Sequence, residues 1–155
     1  MSLRPMTADE YDAWQFALAE DYAAEKVAAG AWAAEGAVQR ALDESAALLP
    51  QGLATPRTLI WRAEAEDGRP VGRAWVTLDH PRGAPDTAFL YDIEVDEGER
   101  GRGFGRALLA AVEAAVRATG AGALELNVFG TNDTAVNLYA SSGYRTTTQQ
   151  MRKPL

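Results

Sequence analysis

The chain has no cysteine and one histidine, His80. Without cysteine there is no disulfide framework and no thiolate nucleophile. A lone histidine rules out a metal centre built on several imidazoles, so no metal is expected. No stretch approaches the roughly 18 consecutive apolar residues that a membrane helix needs. Positive charge is also short: 15 Lys and Arg stand against 22 Asp and Glu, a formal net charge of −7. That balance argues against a protein whose main partner is a nucleic-acid phosphate backbone. The chain does not open on a basic stretch followed by an apolar block, so a cytoplasmic protein is expected, acting on neither nucleic acid nor membrane. What is present is ample apolar material. At 155 residues and 47% hydrophobic content, one domain over residues 1–155 can bury its own core.

Thr7 and Glu10 have the spacing of a capping box. Tyr11, Trp14, Leu18 and Tyr22 then recur at helical period, giving a first helix that breaks at Ala28–Ala31 around Gly30. Val38, Leu42, Ala46 and Leu49 mark a second helix, stopped by Pro50 and Gly52. Thr58 to Glu64 and Val71 to Leu78 read as strands joined through Asp67-Gly68, a two-residue hairpin signal. Residues Asp79 to Pro85 form a loop, with His80 expected to face solvent. In the next strand Phe89, Tyr91, Ile93 and Val95 alternate with Leu90, Asp92 and Glu94, which predicts one apolar and one carboxylate face. Leu108, Leu109, Val112 and Val116 mark a third helix. Leu124 to Val128 is a strand, Asn132 caps a last helix that Gly143 ends, and Tyr144 to Met151 reads as a final strand. The order implies a mixed sheet in an α/β or α+β domain.

Between the carboxylate strand and the third helix lies Arg100-Gly101-Arg102-Gly103-Phe104-Gly105-Arg106. Glycines at alternate positions free the backbone N–H groups to converge on an anion, and the helix N-terminus adds its positive end. A dinucleotide fingerprint requires a third small residue, but Arg106 or Leu108 occupies that place in the two registers. A P-loop fails because no Gly-Lys-Ser/Thr follows. What fits is Arg100-x-x-Gly103-x-Gly105 before apolar Leu108 and Leu109.

This spacing resembles the acyl-CoA pyrophosphate loop of the GNAT superfamily of N-acetyltransferases. Asn132-x-x-Ala135-x-x-Leu138-Tyr139-x-x-x-Gly143-Tyr144 is similar to that superfamily's later helix and the Gly-aromatic pair after it. The resemblance covers residues 87–151 closely. It implies a central mixed, mostly antiparallel sheet splayed between its fourth and fifth strands and flanked by helices. It also implies an acetyl-CoA-dependent N-acetyltransferase, in which an amine attacks the thioester directly in a ternary complex. The alternative is a non-catalytic acyl-CoA-binding module of the same fold.

Carried over by resemblance, the N–H groups of Arg102, Gly103, Phe104, Gly105 and Arg106 would hold the pyrophosphate. Arg100 and Gly101 would complete that turn. Ile93 to Val95 would bind the pantetheine arm through their backbone, and Asn132 would contact CoA. Tyr139 would protonate the departing thiolate. Glu94 is the candidate base, directly or through a water, because an amine must lose a proton before it attacks. Asn127 stands where some relatives carry a glutamate, which leaves the base open. Glu20, Asp21, Tyr22, Glu25 and Trp32 fall on the side where similar proteins wall off the acceptor, and could hold a cation by charge and ring face. The acceptor implied is a small-molecule or peptide amine, and a homodimer is compatible with the sequence.

Overall fold

Thr7 starts the first helix as its spacing to Glu10 predicts. Glu10 N–H donates to Thr7 Oγ1 at 3.3 Å, and Thr7 N–H donates to Glu10 Oε2 at 2.9 Å. The computed structural model describes residues 1–153 and 155, and α1 runs over Ala8–Ala28. Ahead of it lies a strand the sequence reading did not contain, β1 (Ser2–Pro5), too short for alternation to register. Its Arg4 ties three elements together, donating to Glu10 on α1 and, at 2.7 Å, to Glu64 on the neighbouring strand.

The second helix, α2, covers Ala37–Leu48; of its expected stripe Leu49 is buried and Leu42 half-buried, while Val38 and Ala46 are exposed. Ala37, Ala41 and Ser45 are buried, whereas Val38 and Leu48 are exposed. The reason is the partner surface. Ala19 and Ala23 of α1 meet Ala37 and Ala41 of α2, and small side chains let two helix backbones approach closely.

The sheet has the order β1-β2-β3-β4-β5, with β2 at Thr58–Glu64, β3 at Pro70–Thr77, β4 at Thr87–Val95 and β5 at Ala123–Leu126. All neighbours are antiparallel except β4 and β5, which are parallel. Gly68 turns the β2–β3 hairpin at φ +80°, in a connection longer than the two residues expected, with Ala65 N–H donating to the Arg69 carbonyl across Glu66, Asp67 and Gly68.

The expected alternation of β4 fails at one residue. Trp75 on β3 pairs with Asp92, but the next residue, Val76, pairs with Leu90, so Tyr91 is an extra residue in the ladder. Such a bulge moves every side chain beyond it to the opposite face. Ala88 and Leu90, before the bulge, and Ile93 and Val95, after it, therefore share one face. On the other, Phe89 packs edge-on to Tyr91, Tyr91 stacks on Trp75, and Asp92 and Glu94 follow them.

The first face is covered by α3 (Phe104–Ala118), whose Leu108, Leu109, Val112 and Val116 bury against Val71, Ala74, Val76, Ala88 and Leu90. The second face is covered by α1 through Trp14, which joins Met6, Leu49, Ile60 and Trp75. The last helix, α4 (Asp133–Ser141), turns Ala135, Leu138, Tyr139 and Ser142 inward on one side, as the sequence implies. It closes on Gly143 at φ +94°, with Gly143 N–H donating to Ala140 and Tyr144 N–H to Tyr139. Residues 144–151, expected as a strand, have no regular secondary structure and are mostly exposed. No helix among the described residues is long and apolar enough to cross a membrane.

Gly72 on β3 is where the two layers press hardest. A Cβ there would stand 2.4 Å from the Glu94 carbonyl oxygen and 3.1 Å from Leu108 Cδ2. Gly72→Ala must therefore push β3 off β4 and is expected to lower unfolding free energy by about 2 kcal/mol in urea titration. Unchanged stability would contradict this close approach.

Candidate active site

The β4–β5 ladder joins Thr87–Leu90 to Ala123–Leu126 and stops there. Beyond the bulge β4 continues to Val95 bonded to β3 alone, with Ile93, Glu94 and Val95 opposite Ala74, Arg73 and Gly72. The edge of β4 that faced β5 is thus left without a strand over its last five residues, the splay expected between the fourth and fifth strands. Backbone groups on such an edge remain able to bond an extended ligand.

The glycine turn sits at the end of this open edge. After a short 3₁₀ turn at Glu97–Glu99, Gly101 and Gly103 adopt φ +74° and +85°. Both conformations favour glycine, and a Cβ at either would meet nothing within 4 Å. Gly103 is the N-cap of α3 and supplies no side-chain cap. The N–H groups of Phe104, Gly105 and Arg106 in the first helical turn therefore point outward with no partner in the helix. Gly105 differs from the other two. A Cβ there would meet Leu138 Cδ2 at 3.6 Å and Val95 Cγ2 at 4.0 Å, ordinary contact distances, so this position faces α4 and the end of β4.

The arginines of the turn are engaged with the protein itself. Arg100 donates from Nε to the Val95 carbonyl at 3.1 Å and from Nη2 to Glu94 at 2.5 Å. Arg102 pairs with Glu99 at 2.6 Å, and Glu99 also pairs with Arg69. Arg106 donates to Ser141 Oγ at 2.9 Å on α4. Arg62 holds Asp96 at the start of the turn. These bonds fix the turn and leave its backbone as the outward-facing donor surface.

Behind the open edge, on the α1 side, lies a polar cluster that the sequence reading did not assemble. Arg73 donates from Nε to Asp92 Oδ2 at 2.9 Å, pairs with Glu94, and reaches Asp21 of α1 at 3.6 Å. Trp14 Nε1 donates to the same Asp92 oxygen at 2.9 Å. Burial works against the Arg73 charge, but Asp92 and Glu94 outweigh it and hold the guanidinium above its ordinary range. Glu94 thus has one oxygen on Arg73 and the other on Arg100. The readable signal was an arginine inside the apolar run Val71-Gly72-Arg73-Ala74-Trp75-Val76, which on a central strand demands a partner.

Tyr139 lies half-buried on α4, its ring 5.6 Å from that of Tyr144. Burial first, and the Asp92 carboxylate second, push its phenol up to about 12. Tyr144 is pushed higher still, by burial and by Glu113. Asn132 caps α4, accepting from Ala135 N–H at 3.1 Å. It also lines an open cavity of about 800 Å³ together with Glu25, Phe129, Gly130 and Arg152. Asn127 is exposed just past the end of β5. Of the acceptor-side residues, Asp21 joins Arg73, Tyr22 and Trp32 pack edge to face, Glu25 lines the cavity, and Glu20 is exposed.

His80 is not at solvent, as its loop suggested, but buried. Its Nδ1 accepts from Arg82 N–H at 3.2 Å, its ring meets Phe89 edge-on, and Nε2 lies 3.4 Å from Glu125. It stands at the paired end of β4 and β5, against Phe89 and Glu125, and belongs to their packing. Among the described residues no group of three or more His, Cys, Asp or Glu side chains could hold a metal ion.

The cluster makes a stability prediction. Arg73→Met leaves Asp92, Glu94 and Asp21 without their shared cation and is expected to cost about 3 kcal/mol. Arg73→Met combined with Asp92→Asn should recover part of that loss, because the two changes share one network. Urea unfolding of both variants checks this; a single variant within about 0.5 kcal/mol of the parent would contradict it.

Comparison with known proteins gives the family. Residues 31–144 match the acetyltransferase (GNAT) family. YycN of Bacillus subtilis (strain 168), named an uncharacterized N-acetyltransferase, is 35% identical over 153 residues, covering 99% of this chain and 97% of its own. The crystal structure of YycN has a TM-score of 0.93 to this chain, covering 99% of this chain and 98% of that one. YdgE of the same organism, also named an uncharacterized N-acetyltransferase, is 30% identical over 156 residues, covering 99% and 98%. AAC(6')-Iy, solved with the bisubstrate analogue CoA-S-monomethyl-acetylneamine, is 18% identical with a TM-score of 0.64 over 99% and 97% of the two chains, a likeness of fold. The strand edge left open beside a glycine turn is thus set in a fold and a sequence of known kind, and the chain belongs to the GNAT family of acetyltransferases.

Proposed function

We propose that this protein transfers the acetyl group of acetyl-CoA to a primary amine by direct attack in a ternary complex. The observation that carries the reading is the open edge of β4 running into an uncapped helix N-terminus through glycines of positive φ. An extended amide-bearing arm suits the first, and a diphosphate suits the second. The CoA analogue bound to AAC(6')-Iy, a protein of the same fold, supports the same donor.

In this reading the N–H groups of Arg102 to Arg106 bind the pyrophosphate, with Arg100 and Gly101 shaping the turn. The backbone of Ile93 to Val95 holds the pantetheine arm, and one of its N–H groups polarises the thioester carbonyl. Asn132 contacts CoA from the start of α4. The amine nitrogen bonds to the carbonyl carbon, the C–S bond breaks, the amine's proton passes to the base, and the departing thiolate takes its proton from solvent. Glu94 takes the amine's proton, directly or through a water, on a lone pair that Arg73 and Arg100 leave free. Tyr139 donates a hydrogen bond to the sulfur as the bond breaks. With its phenol at about 12, full transfer to the anion of a thiol of pKa about 8.5 is uphill, so its share of the rate is modest, about 10- to 100-fold.

Two measurements check the reading. Thermal unfolding should shift upward with CoA and acetyl-CoA and not with NAD or ATP, by the equivalent of about 2.7 kcal/mol at a hundred times Kd. Gly103→Asp should abolish that shift without unfolding the domain. Aspartate tolerates positive φ, and its carboxylate would occupy the N–H groups that the phosphate needs. Tyr139→Phe should bind CoA normally and turn over about 10- to 100-fold more slowly. No shift with either CoA species would overturn the donor assignment, and unchanged turnover in Tyr139→Phe would overturn the role of the phenol.

A further inference from the structure

Lys26, near the end of α1, does not pair with a carboxylate among the described residues, although Glu25 and Asp21 lie on the same helix. Its ammonium sits among rings. Nζ stands 5.1 Å from the Tyr22 ring centroid, 5.8 Å from that of Trp32 and 6.0 Å from that of Phe129. Tyr22 and Trp32 meet edge to face at 5.4 Å and 84°, and the Trp32 ring also carries the Arg40 guanidinium at 4.3 Å, so the rings already gather cations. The three rings come from α1, from the connection after it and from the segment between β5 and α4. Tertiary folding, not helix periodicity, builds this cage. Rings so arranged attract a cation through their quadrupoles.

The cage adjoins the proposed active site. Phe129 lines the cavity of about 800 Å³ that also holds Glu25 and Asn132. The Glu25 carboxyl is raised above the ordinary carboxylate range, by partial burial first and then by Asp21, Asp92 and Glu94. Four carboxylates from α1 and β4 therefore crowd one region, and the guanidiniums of Arg73 and Arg100 answer only three of them. Arg152 lines the same cavity, but its guanidinium is held by the Ala29 and Gly30 carbonyls, and the ammonium among the rings is the protein's own Lys26.

We propose that the Tyr22–Trp32–Phe129 cage, with Glu25 beside it, is a subsite for a second, non-reacting cation of the acceptor, and that Lys26 is its built-in occupant, displaced when the acceptor binds. The acceptor role rests on the N-acetyltransferase reading; the cation site does not. The substrate class is an amine carrying a further ammonium, as in a free aliphatic diamine or in a peptide whose N-terminus lies near a basic side chain.

Tetramethylammonium is the direct probe, because it is a fixed cation with no proton to lose and no nitrogen to acetylate. Calorimetric titration should show it binding Lys26→Met about tenfold more tightly than the parent, with Trp32→Ala on that background cancelling the gain. Neopentyl alcohol, of nearly the same shape but uncharged, should gain nothing. A gain shared by both probes, or no gain, would overturn the cage as a cation site. In turnover, Lys26→Met should lower KM for 1,5-diaminopentane about tenfold and leave pentylamine unchanged, with kcat unaltered for both. A Gly-Lys dipeptide run alongside separates the two sources of the cation: whichever of diamine and dipeptide gains more from Lys26→Met is the better fit. Equal effects on diamine and monoamine would overturn the second-cation assignment. Tetramethylammonium binding without turnover of any amine would leave the cation site standing and overturn the acceptor role.

Discussion

The extra residue in β4 governs the rest of the structure. Tyr91 has no partner on β3, and where it is inserted the pairing of β4 with β5 ends. Before it, β4 is an ordinary buried strand that alternates toward α3 and α1. After it, the strand keeps its apolar residues on the α3 face and swings Asp92 and Glu94 to the α1 face, with one backbone edge left free. Bulges bend and twist a strand while re-aiming its side chains. Here one residue both opens a slot between strands and sets charged groups behind it. The slot has a cost. Gly72 must lack a side chain, because the redirected β4 brings the Glu94 carbonyl within 2.4 Å of where a Cβ would stand.

Carboxylates brought to a half-buried face need cations, and guanidinium groups supply them. Arg73 serves Asp92, Glu94 and Asp21, while Arg100 reaches back from the glycine turn to the other oxygen of Glu94. The strand that would hold the donor's arm and the turn that would hold its phosphates are thus mechanically joined through one carboxylate. Arg62, Arg69 and Arg102 fasten the same turn through Asp96 and Glu99. Arg62, Arg69, Arg73, Arg100 and Arg102 all stand on these joints in a chain of formal charge −7, which leaves backbone N–H groups as the outward donors of the glycine turn.

Features that depend on neighbours in sequence were legible. Thr7 and Glu10, Asp67-Gly68, the glycine turn, Asn132 and Gly143 each act over two to four residues, and each is found where its spacing implies. Features that depend on distant partners were not. The faces of β4 could not be read because a bulge carries no compositional mark; Tyr91 is as good a strand residue as its neighbours. The face of α2 was hidden because alanine, the residue buried against α1, looks neutral in an apolar count. Residues 144–151 alternate polar and apolar types sparsely, and in the fold no strand pairs with them. His80 is drawn inside by Phe89 and Glu125, residues of two strands that follow it. The site followed the same rule. Its glycines and helix caps were visible, while Arg73, Trp14 and Phe129 join it only through the fold.

The central claim is that the open edge of β4 and the glycine turn together form the acetyl-CoA site. Hydrogen exchange read by mass spectrometry, with and without acetyl-CoA, tests both halves in one experiment. The account predicts slower exchange in peptides covering Tyr91 to Val95 and Gly101 to Arg106, with β2 unchanged. Protection confined to other segments, or absent from β4 while acetyl-CoA is bound, would contradict it.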